Sequence, residues 1–383
     1  MANINDYLYW RGDVVICNAA PFNEIDDLIL ARFSYLPFDK TFFSGRDAMG
    51  SFCKVMKELE PEDFHLEGDR EFIEALPTCA RFRDMVVTDY KKSNDPEIEK
   101  QFSAITVHIS ADEIYLSFCG TDSTLVGWKE DFNMSFMENV PSQCAALLYA
   151  RDVMDKYPKA KVHFGGHSKG GNLAVYAAIC LDENYRSRIL SVTNFDGPGF
   201  SGHFLDIHEF DGIVDRIKTF IPQDSVFGRI MDHAEDHEVV KSTAAYVYQH
   251  DIFSWQVERT TMNRLDDPTD DSNAACEALH RMLEDTSPEQ RKLCVNLIYR
   301  ILTSTDARTL ADLKNIPWSK TPNILKSIIS LGKKDWDAVG AVIESFIKCF
   351  GSVYMELGAA KINAALNELK ENPADVLKIS TKL

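Results

Sequence analysis

The chain has 383 residues, 45% of them apolar and 26% charged, which excludes a disordered chain and allows one large domain or two modest ones. The formal net charge is −18 and no lysine- or arginine-rich run occurs, which excludes a surface that attracts nucleic acid. The first residues lack the pattern of a signal peptide, and no uncharged apolar window of about 18 residues follows, so we expect neither secretion nor stable membrane anchoring.

The nine cysteines are scattered along the chain and include no C-x-x-C pair. Several occupy apolar positions in helix-like or strand-like runs, where a reduced thiol packs as a small hydrophobic residue. This usage is typical of a cytoplasmic protein and favours neither a disulfide framework nor a zinc site. We therefore expect a cytoplasmic location, with neither a metal nor an organic cofactor.

The N-terminal stretch FNEIDDLILARFSYLPF places apolar residues on one helical face, with Asn23 in position to cap the helix. Helical patterns continue to about residue 84, so residues 1–84 are predicted to form a helical segment that packs on the core. Three strand-like runs follow, namely MVVTDY, FSAITVHIS and EIYLSF. They predict an antiparallel meander.

From about residue 142 helix and strand patterns alternate. The segments in order are helix SQCAALLYARDVMDKYP, strand KVHFGG, helix SKGGNLAVYAAIC, strand ILSVTNF, and the strand candidates IKTFI and HEVVKS. This alternation predicts an α/β fold with a mostly parallel sheet and helices on both faces, and we place its core at residues 85–256. No strand is expected beyond Trp255, and residues 257–383 are predicted to form an α-helical region that includes a helix around Trp336.

One short motif lies at a predicted strand-to-helix junction. Gly166-His167-Ser168-Lys169-Gly170 fits G-x-S-x-G, whose glycines allow a sharp turn that holds the serine in a strained backbone geometry. The pattern alone occurs by chance, but here a strand precedes it and a helix follows it, as such a turn requires. The first amides of that helix, including the Lys169 amide, would face an oxyanion above the serine. Ser168 is therefore a candidate nucleophile, and a hydroxyl in a structural turn is the alternative.

A serine nucleophile needs a histidine base that is held by a carboxylate, and at turns of this kind the acid and then the histidine follow the serine. Asp224, in PQDSVFG, follows the strand IKTFI and lies one strand later than its rival Asp196, in NFDGPGF. The later position is the usual one, so Asp224 is the preferred acid. Asp196 precedes Gly197 and Pro198, which also suits an ordinary turn residue.

Three histidines are candidates for the base. His250, in YVYQHDIFSW, follows the last strand candidate and is flanked by aromatic residues that would exclude water. His233 and His237 lie in the acidic run MDHAEDHE, which is typical of a solvated surface. His250 is therefore preferred. His167 adjoins the serine, but its side chain leaves the turn in another direction and is expected to pack beneath it.

A second oxyanion donor is expected in a loop after an earlier strand. The strand EIYLSF continues into Cys119, Gly120 and Thr121. Glycine lets the backbone approach closely, and Thr121 offers both an amide and a hydroxyl to a developing alkoxide. An ordinary Gly-Thr turn is the alternative.

Together these segments resemble the class 3 (fungal-type) lipases of the α/β-hydrolase superfamily. The family pattern is an apolar strand ending in R-G-[ST], then W-x-x-D, then G-H-S-x-G-G-[AG]-L-A. The matching stretches are FCGTDSTLVGWKEDF, with Trp128 and Asp131, and GHSKGGNLAVYAA. The resemblance covers about residues 85–255. The ends of the chain resemble a group of uncharacterised, mainly gut-bacterial proteins of the same superfamily.

The resemblance implies an α/β-hydrolase fold and a site. The triad would be Ser168, Asp224 and His250, and the oxyanion hole would be formed by Thr121 and the Lys169 amide. The chain departs from the lipase pattern at three positions where arginine, leucine and a small residue are usual, namely Cys119, Lys169 and Asn172. These departures weaken an inference to lipid.

We expect a serine hydrolase that cleaves carboxylic esters through an acyl-enzyme. A small or lipid-like acyl ester is the expected substrate, and no nucleic-acid partner is expected. Two alternatives remain. One is a binding or scaffolding protein that kept the fold without turnover, and the other is an acyltransferase that uses the same acyl-enzyme.

Overall fold

The computed structural model describes residues 2–303 apart from Ser123, Glu209 and Asp211. The chain divides into two compact units, residues 1–276 and 277–383. The helix predicted around Trp336 lies outside the described residues.

Nine strands of the described residues form one mixed sheet, in the spatial order β1-β2-β3-β4-β5-β6-β7-β8-β11. The strands of the sheet are β1 (Arg46–Ala48), β2 (Val86–Asp95), β3 (Lys100–His108), β4 (Glu113–Phe118), β5 (Lys161–His167), β6 (Ile189–Phe195), β7 (Ile217–Pro222), β8 (His237–Val240) and β11 (Arg264–Leu265). A separate antiparallel pair is formed by β9 (Val257–Glu258) and β10 (Thr261–Met262). Strands β4 to β8 are parallel, whereas β1 to β4 pair antiparallel.

The helices lie between these strands and after them. They are α1 (Ile4–Arg11), α2 (Glu24–Phe33), α3 (Met49–Met56), α4 (Asp69–Ala75), α5 (Leu125–Asn133), α6 (Pro141–Lys156), α7 (Lys169–Cys180), α8 (Glu183–Arg186), α9 (Gly202–Ile207), α10 (Asp270–Asp285) and α11 (Pro288–Thr303). Among the described residues, no helix combines the length and apolar character that a membrane span needs.

Both faces of the sheet are covered, which explains why its central strands are apolar almost throughout. One face packs against α2, in a cluster that includes Ile29, Val107 and Phe195. The opposite face packs against α6 and α7, in a cluster that includes Phe118 and Phe164. A mixed sheet with parallel central strands, helices on both faces and a sharp turn after β5 is an α/β-hydrolase fold, as predicted.

Helix α2 begins where the sequence predicts. The Asn23 side chain accepts from the amide of Ile25 at 3.0 Å, and the Asp26 side chain returns a bond by accepting from the Asn23 amide at 2.9 Å. Asp26 also forms a fully buried ion pair with Arg81, at 2.5 Å. Removing one partner of such a pair costs about 3–5 kcal/mol, so this contact fixes α2 against the segment after α4.

The sequence patterns miss several short elements. Strand β1 lies within the segment predicted to be helical, and α5 follows the Gly-Thr loop. Strands β9, β10 and β11 lie beyond Trp255, where no strand was expected, and β11 pairs with β8 through Arg264 and Leu265. Two- and three-residue strands are too short to show a period of two. The prediction that strands end at Trp255 is therefore wrong.

Candidate active site

The turn between β5 and α7 leaves Ser168 alone between two regular elements. Its backbone has φ 55° and ψ −135°, a conformation that costs a residue with a side chain about 1–3 kcal/mol. The Ser168 amide donates to the carbonyl of Phe195 at 2.8 Å, which fixes the turn against the end of β6. The residue is half-buried. This geometry agrees with the strained turn that the motif predicts.

The two glycines of the motif allow the backbones to approach. A β-carbon at Gly166 would lie 2.3 Å from the carbonyl carbon of Gly170, and one at Gly170 would lie 2.1 Å from the carbonyl oxygen of Phe118. Real β-carbons do not come so close to other atoms, so both positions require glycine. The start of α7 therefore lies directly against the end of β4, where the loop of residues 119–121 begins.

His250 and Asp196 form a close pair beside this turn. His250 Nδ1 lies 2.6 Å from Asp196 Oδ2, and the aspartate side chain is almost completely buried. The other carboxylate oxygen of Asp196 accepts from the Ser225 hydroxyl and from the Gly228 amide. An Nδ1–H that donates to a carboxylate leaves Nε2 with its lone pair, which is the form a general base requires.

Asp224, the predicted acid, does not reach His250. Its Oδ2 accepts from Gln249 Nε2 at 2.5 Å, and its Oδ1 accepts from the Thr269 hydroxyl at 2.6 Å. The rival Asp196, and not Asp224, is the aspartate that contacts His250. Asp224 instead fixes the loop that carries His250, because it also accepts from the amide of Tyr246 at 3.3 Å.

Among the described residues, no hydrogen bond joins the side chains of Ser168 and His250. They are linked through neighbours, because the carbonyl that accepts from the Ser168 amide belongs to Phe195, the residue before Asp196. Catalytic hydrogen bonds are often long in free enzymes and tighten when substrate binds. The rival His233 lies 3.2 Å from Glu235 and is not part of this group.

His167 lies beneath the turn, as predicted, and contacts the candidate base. Its Nε2 donates to the carbonyl of His250 at 2.8 Å, and the two imidazole rings are 4.5 Å apart between centroids. Burial, together with the nearby His250, holds the pKa of His167 well below its ordinary value, so the ring stays neutral. The Phe227 ring also lies 4.4 Å from the His250 ring between centroids. His250 therefore contacts two rings.

The loop after β4 lies against the same turn. A β-carbon at Gly120 would lie 2.6 Å from the carbonyl oxygen of His167, so glycine is required there. The Thr121 hydroxyl donates to Asp131 Oδ2 at 2.5 Å. Because the hydroxyl proton points to Asp131, the main-chain N–H is the donor that Thr121 can offer to an oxyanion.

A model of the Mbeg1-like family matches residues 76–300, more than half of the chain, and this span contains Ser168, Asp196 and His250. The chain belongs to the Mbeg1-like family. No curated protein matches its sequence.

Solved structures that resemble this Mbeg1-like chain include lipases. A fungal lipase-inhibitor complex is 15% identical over 45% of this chain and 70% of its own, with a TM-score of 0.34. A Rhizomucor miehei lipase propeptide complex is 17% identical over 45% of this chain and 58% of its own, with a TM-score of 0.32. A triacylglycerol lipase from Penicillium expansum is 10% identical over 65% of this chain and 86% of its own, with a TM-score of 0.35.

The Mbeg1-like chain contains a second set of serine, histidine and acid, and in this set all three side chains are joined by contacts. Ser191 Oγ lies 2.7 Å from His163 Nδ1, and His163 Nε2 lies 2.7 Å from Glu113 Oε1. These residues project from the regular strands β4, β5 and β6, with no helix N-terminus and no strained turn at the serine. The contact alone does not make a nucleophile, and Ser191 provides a matched control for Ser168.

Two positions where the sequence departs from the lipase pattern have polar roles in this structure. Asn172 Nδ2 donates to the carbonyls of Pro198 and Gly199, at 3.1 and 2.9 Å, and so fixes the loop that follows Asp196. Lys169 is buried, and its ammonium contacts Glu130. No periodicity signals either contact. Within the described residues, no group of three His, Cys, Asp or Glu side chains could hold a metal ion.

Proposed function

We propose that this Mbeg1-like protein is a serine hydrolase that cleaves carboxylic esters, with Ser168 as nucleophile, His250 as general base and Asp196 as the acid. The observation that carries the proposal is the Asp196–His250 contact of 2.6 Å beside a serine in a strained strand-to-helix turn. In the chain order serine, acid, histidine, this arrangement matches the roles of a triad.

The proposed reaction has two halves. As Ser168 Oγ attacks the acyl carbonyl, His250 Nε2 takes the hydroxyl proton, and the amides of Thr121 and Lys169 donate to the oxyanion. The imidazolium then protonates the departing alkoxide, which leaves an acyl-enzyme. Water attacks the acyl group with His250 again as base and releases the acid. One oxyanion donor is worth about a hundredfold to a thousandfold in kcat.

The substrate proposed is a small or lipid-like acyl ester. Tyr246 and Tyr248 precede His250 and are mostly exposed, so their rings are available to contact an acyl or alcohol group. We also propose a cytoplasmic location, because Cys53, Cys79 and Cys119 are buried free thiols. The likeness to gut-bacterial proteins stays a prediction.

A fluorophosphonate probe tests the proposal directly. We expect the probe to label the wild type and Ser191→Ala but not Ser168→Ala, with circular dichroism confirming that all three are folded. A folded wild type that the probe does not label would contradict the proposal and favour a binding protein. Product ratios that change with added alcohols would indicate acyl transfer instead of hydrolysis.

A further inference from the structure

The side chain of Lys169 is buried one residue after the proposed nucleophile, and it is only 1% exposed. Its Nζ donates to Gln101 Oε1 at 2.6 Å, to the Gln101 carbonyl at 3.1 Å and to Glu130 Oε2 at 3.0 Å. It also lies 3.7 Å from Asp131 Oδ1. A buried ammonium is tolerated only with such partners, because its desolvation is costly.

The groups around this ammonium also hold the loop of residues 119–121, which contains Gly120 and Thr121. Asp131 accepts the Thr121 hydroxyl through its other oxygen, and Gln101 Nε2 donates to the carbonyl of Gly120 at 3.3 Å. Glu130 is anchored in turn, because it accepts from the Gln101 amide at 2.9 Å. Lys169 is therefore linked to Gly120 through Gln101, and to Thr121 through Asp131.

One cation in this group faces two neighbouring carboxylates. Burial raises the pKa of Asp131 to about 6; Lys169 and the Thr121 hydrogen bond lower it, and Glu130 and Asp122 raise it further. Lys169 itself has a raised pKa, because Glu130 and Asp131 outweigh the effect of burial. Without the ammonium, Asp131 would retain its proton at a higher pH.

The other titratable groups near this cluster do not replace the ammonium. Burial raises the pKa of Cys119 to about 12, and burial holds the pKa of Tyr35 well above its ordinary value. Both side chains are neutral at neutral pH. Arg32 and Lys92 are further cations near Cys119, and Lys169 is the cation whose charge lowers the pKa of Asp131.

We propose that the Lys169 side chain is a positioning residue of the oxyanion hole, which keeps the Asp131 carboxylate in place as the acceptor that anchors Thr121. This inference rests on the proposed function of Ser168. A protonated Asp131 becomes a hydrogen-bond donor, and the Thr121 hydroxyl then has no charged acceptor to fix it. The amide of Thr121 would be held less firmly against the developing oxyanion.

Lys169→Met tests the inference, because methionine has similar length and no charge. We expect kcat for a p-nitrophenyl ester to fall about tenfold to a hundredfold at pH 7, with KM nearly unchanged, since the loss concerns the transition state. The acid limb of the kcat profile should also move to higher pH. A merely structural loss of packing would lower kcat without moving that limb.

Asp131→Asn supplies the matched background. If Lys169 acts through Asp131, then Lys169→Met should lower kcat little further in Asp131→Asn, and the displaced acid limb should disappear. This double variant also retains the net charge of the buried group, because one cation and one anion are lost together. The comparison of Asp131→Asn with the double variant therefore remains decisive even if Lys169→Met alone does not fold.

The outcomes separate the two proposals. A wild type that fluorophosphonate does not label overturns the proposed function and this inference with it. A labelled wild type whose Lys169→Met variant keeps the wild-type kcat and acid limb overturns the inference alone. A large additional loss of kcat in the double variant, beyond that of Asp131→Asn, overturns it as well.

Discussion

His250 Nδ1 lies 2.6 Å from Asp196 Oδ2, so the acid beside the proposed base comes from the end of β6 and not from the end of β7. Strand β6 is the direct neighbour of β5, and the Ser168 amide is bonded to the last residue of β6. The short path through Phe195 therefore connects the serine turn to the acid.

Exchanging each aspartate for asparagine distinguishes the two candidate acids. Asp196→Asn should lower kcat for p-nitrophenyl acetate about a thousandfold or more, because an amide does not hold the histidine in the tautomer that accepts a proton at Nε2. Asp224→Asn should lower kcat far less, since its contacts are to Gln249 and Thr269. A larger loss in Asp224→Asn than in Asp196→Asn would return the role to Asp224.

The sequence is sufficient to predict the turn at Ser168, because the G-x-S-x-G motif, the strand before it and the helix after it lie along one continuous segment. It is not sufficient for the acid. Asp196 and Asp224 both follow a predicted strand, and the choice depends on whether each side chain turns toward the histidine. Ser225 and Gly228 direct Asp196, whereas Gln249 and Thr269 direct Asp224. Such partners are distant in sequence and leave no local pattern.

In the fold, too, long elements could be predicted from local sequence, whereas features that depend on distant contacts could not. The long strands and α2, α6 and α7 follow clear periodicities and are where the sequence predicts them. Strand β11 is different, because its two residues are recruited by the open edge of β8 and by an ion pair of Arg264 with Glu24. The buried charge of Lys169 is likewise invisible from composition, since lysine after a G-x-S motif is equally compatible with a solvated side chain.

Alanine at two histidines tests the base. His250→Ala should lower kcat for p-nitrophenyl acetate about a thousandfold or more, because among the described residues no other histidine forms a hydrogen bond with Asp196. His237→Ala should retain most of the activity, since His237 begins β8 away from this pair. Turnover that survives the first change and collapses with the second would move the base to His237.

The strained backbone at Ser168 predicts that a residue which removes the nucleophile can also make the protein more stable. Ser168 has φ 55°, which glycine adopts freely and alanine does not. Both Ser168→Gly and Ser168→Ala should abolish labelling by the probe, but the glycine variant should be the more stable of the two by about 1 kcal/mol in urea unfolding. An alanine variant at least as stable as the glycine variant would show that the turn is not strained.

The last prediction concerns Asp27, a buried carboxyl group on α2. Asp27 is buried, where it accepts from the Tyr115 hydroxyl at 2.5 Å and from the Thr193 hydroxyl at 2.6 Å, and burial raises its pKa to about 6. Between about pH 4 and pH 6 the folded protein holds a proton that the unfolded chain has released. Through this group, stability is therefore greatest at low pH and falls as the pH rises to about 6.

Asp27→Asn has no proton to lose, so this variant should gain stability relative to the wild type as the pH rises through that window. A shift from about 4 to about 6 corresponds to a relative gain of about 3 kcal/mol. Urea unfolding at several pH values measures it, with the exposed Asp112→Asn as control. Because asparagine weakens one of the two hydrogen bonds at all pH values, the informative quantity is the slope of the difference. Parallel curves for Asp27→Asn and the wild type would mean that folding does not raise the pKa of Asp27.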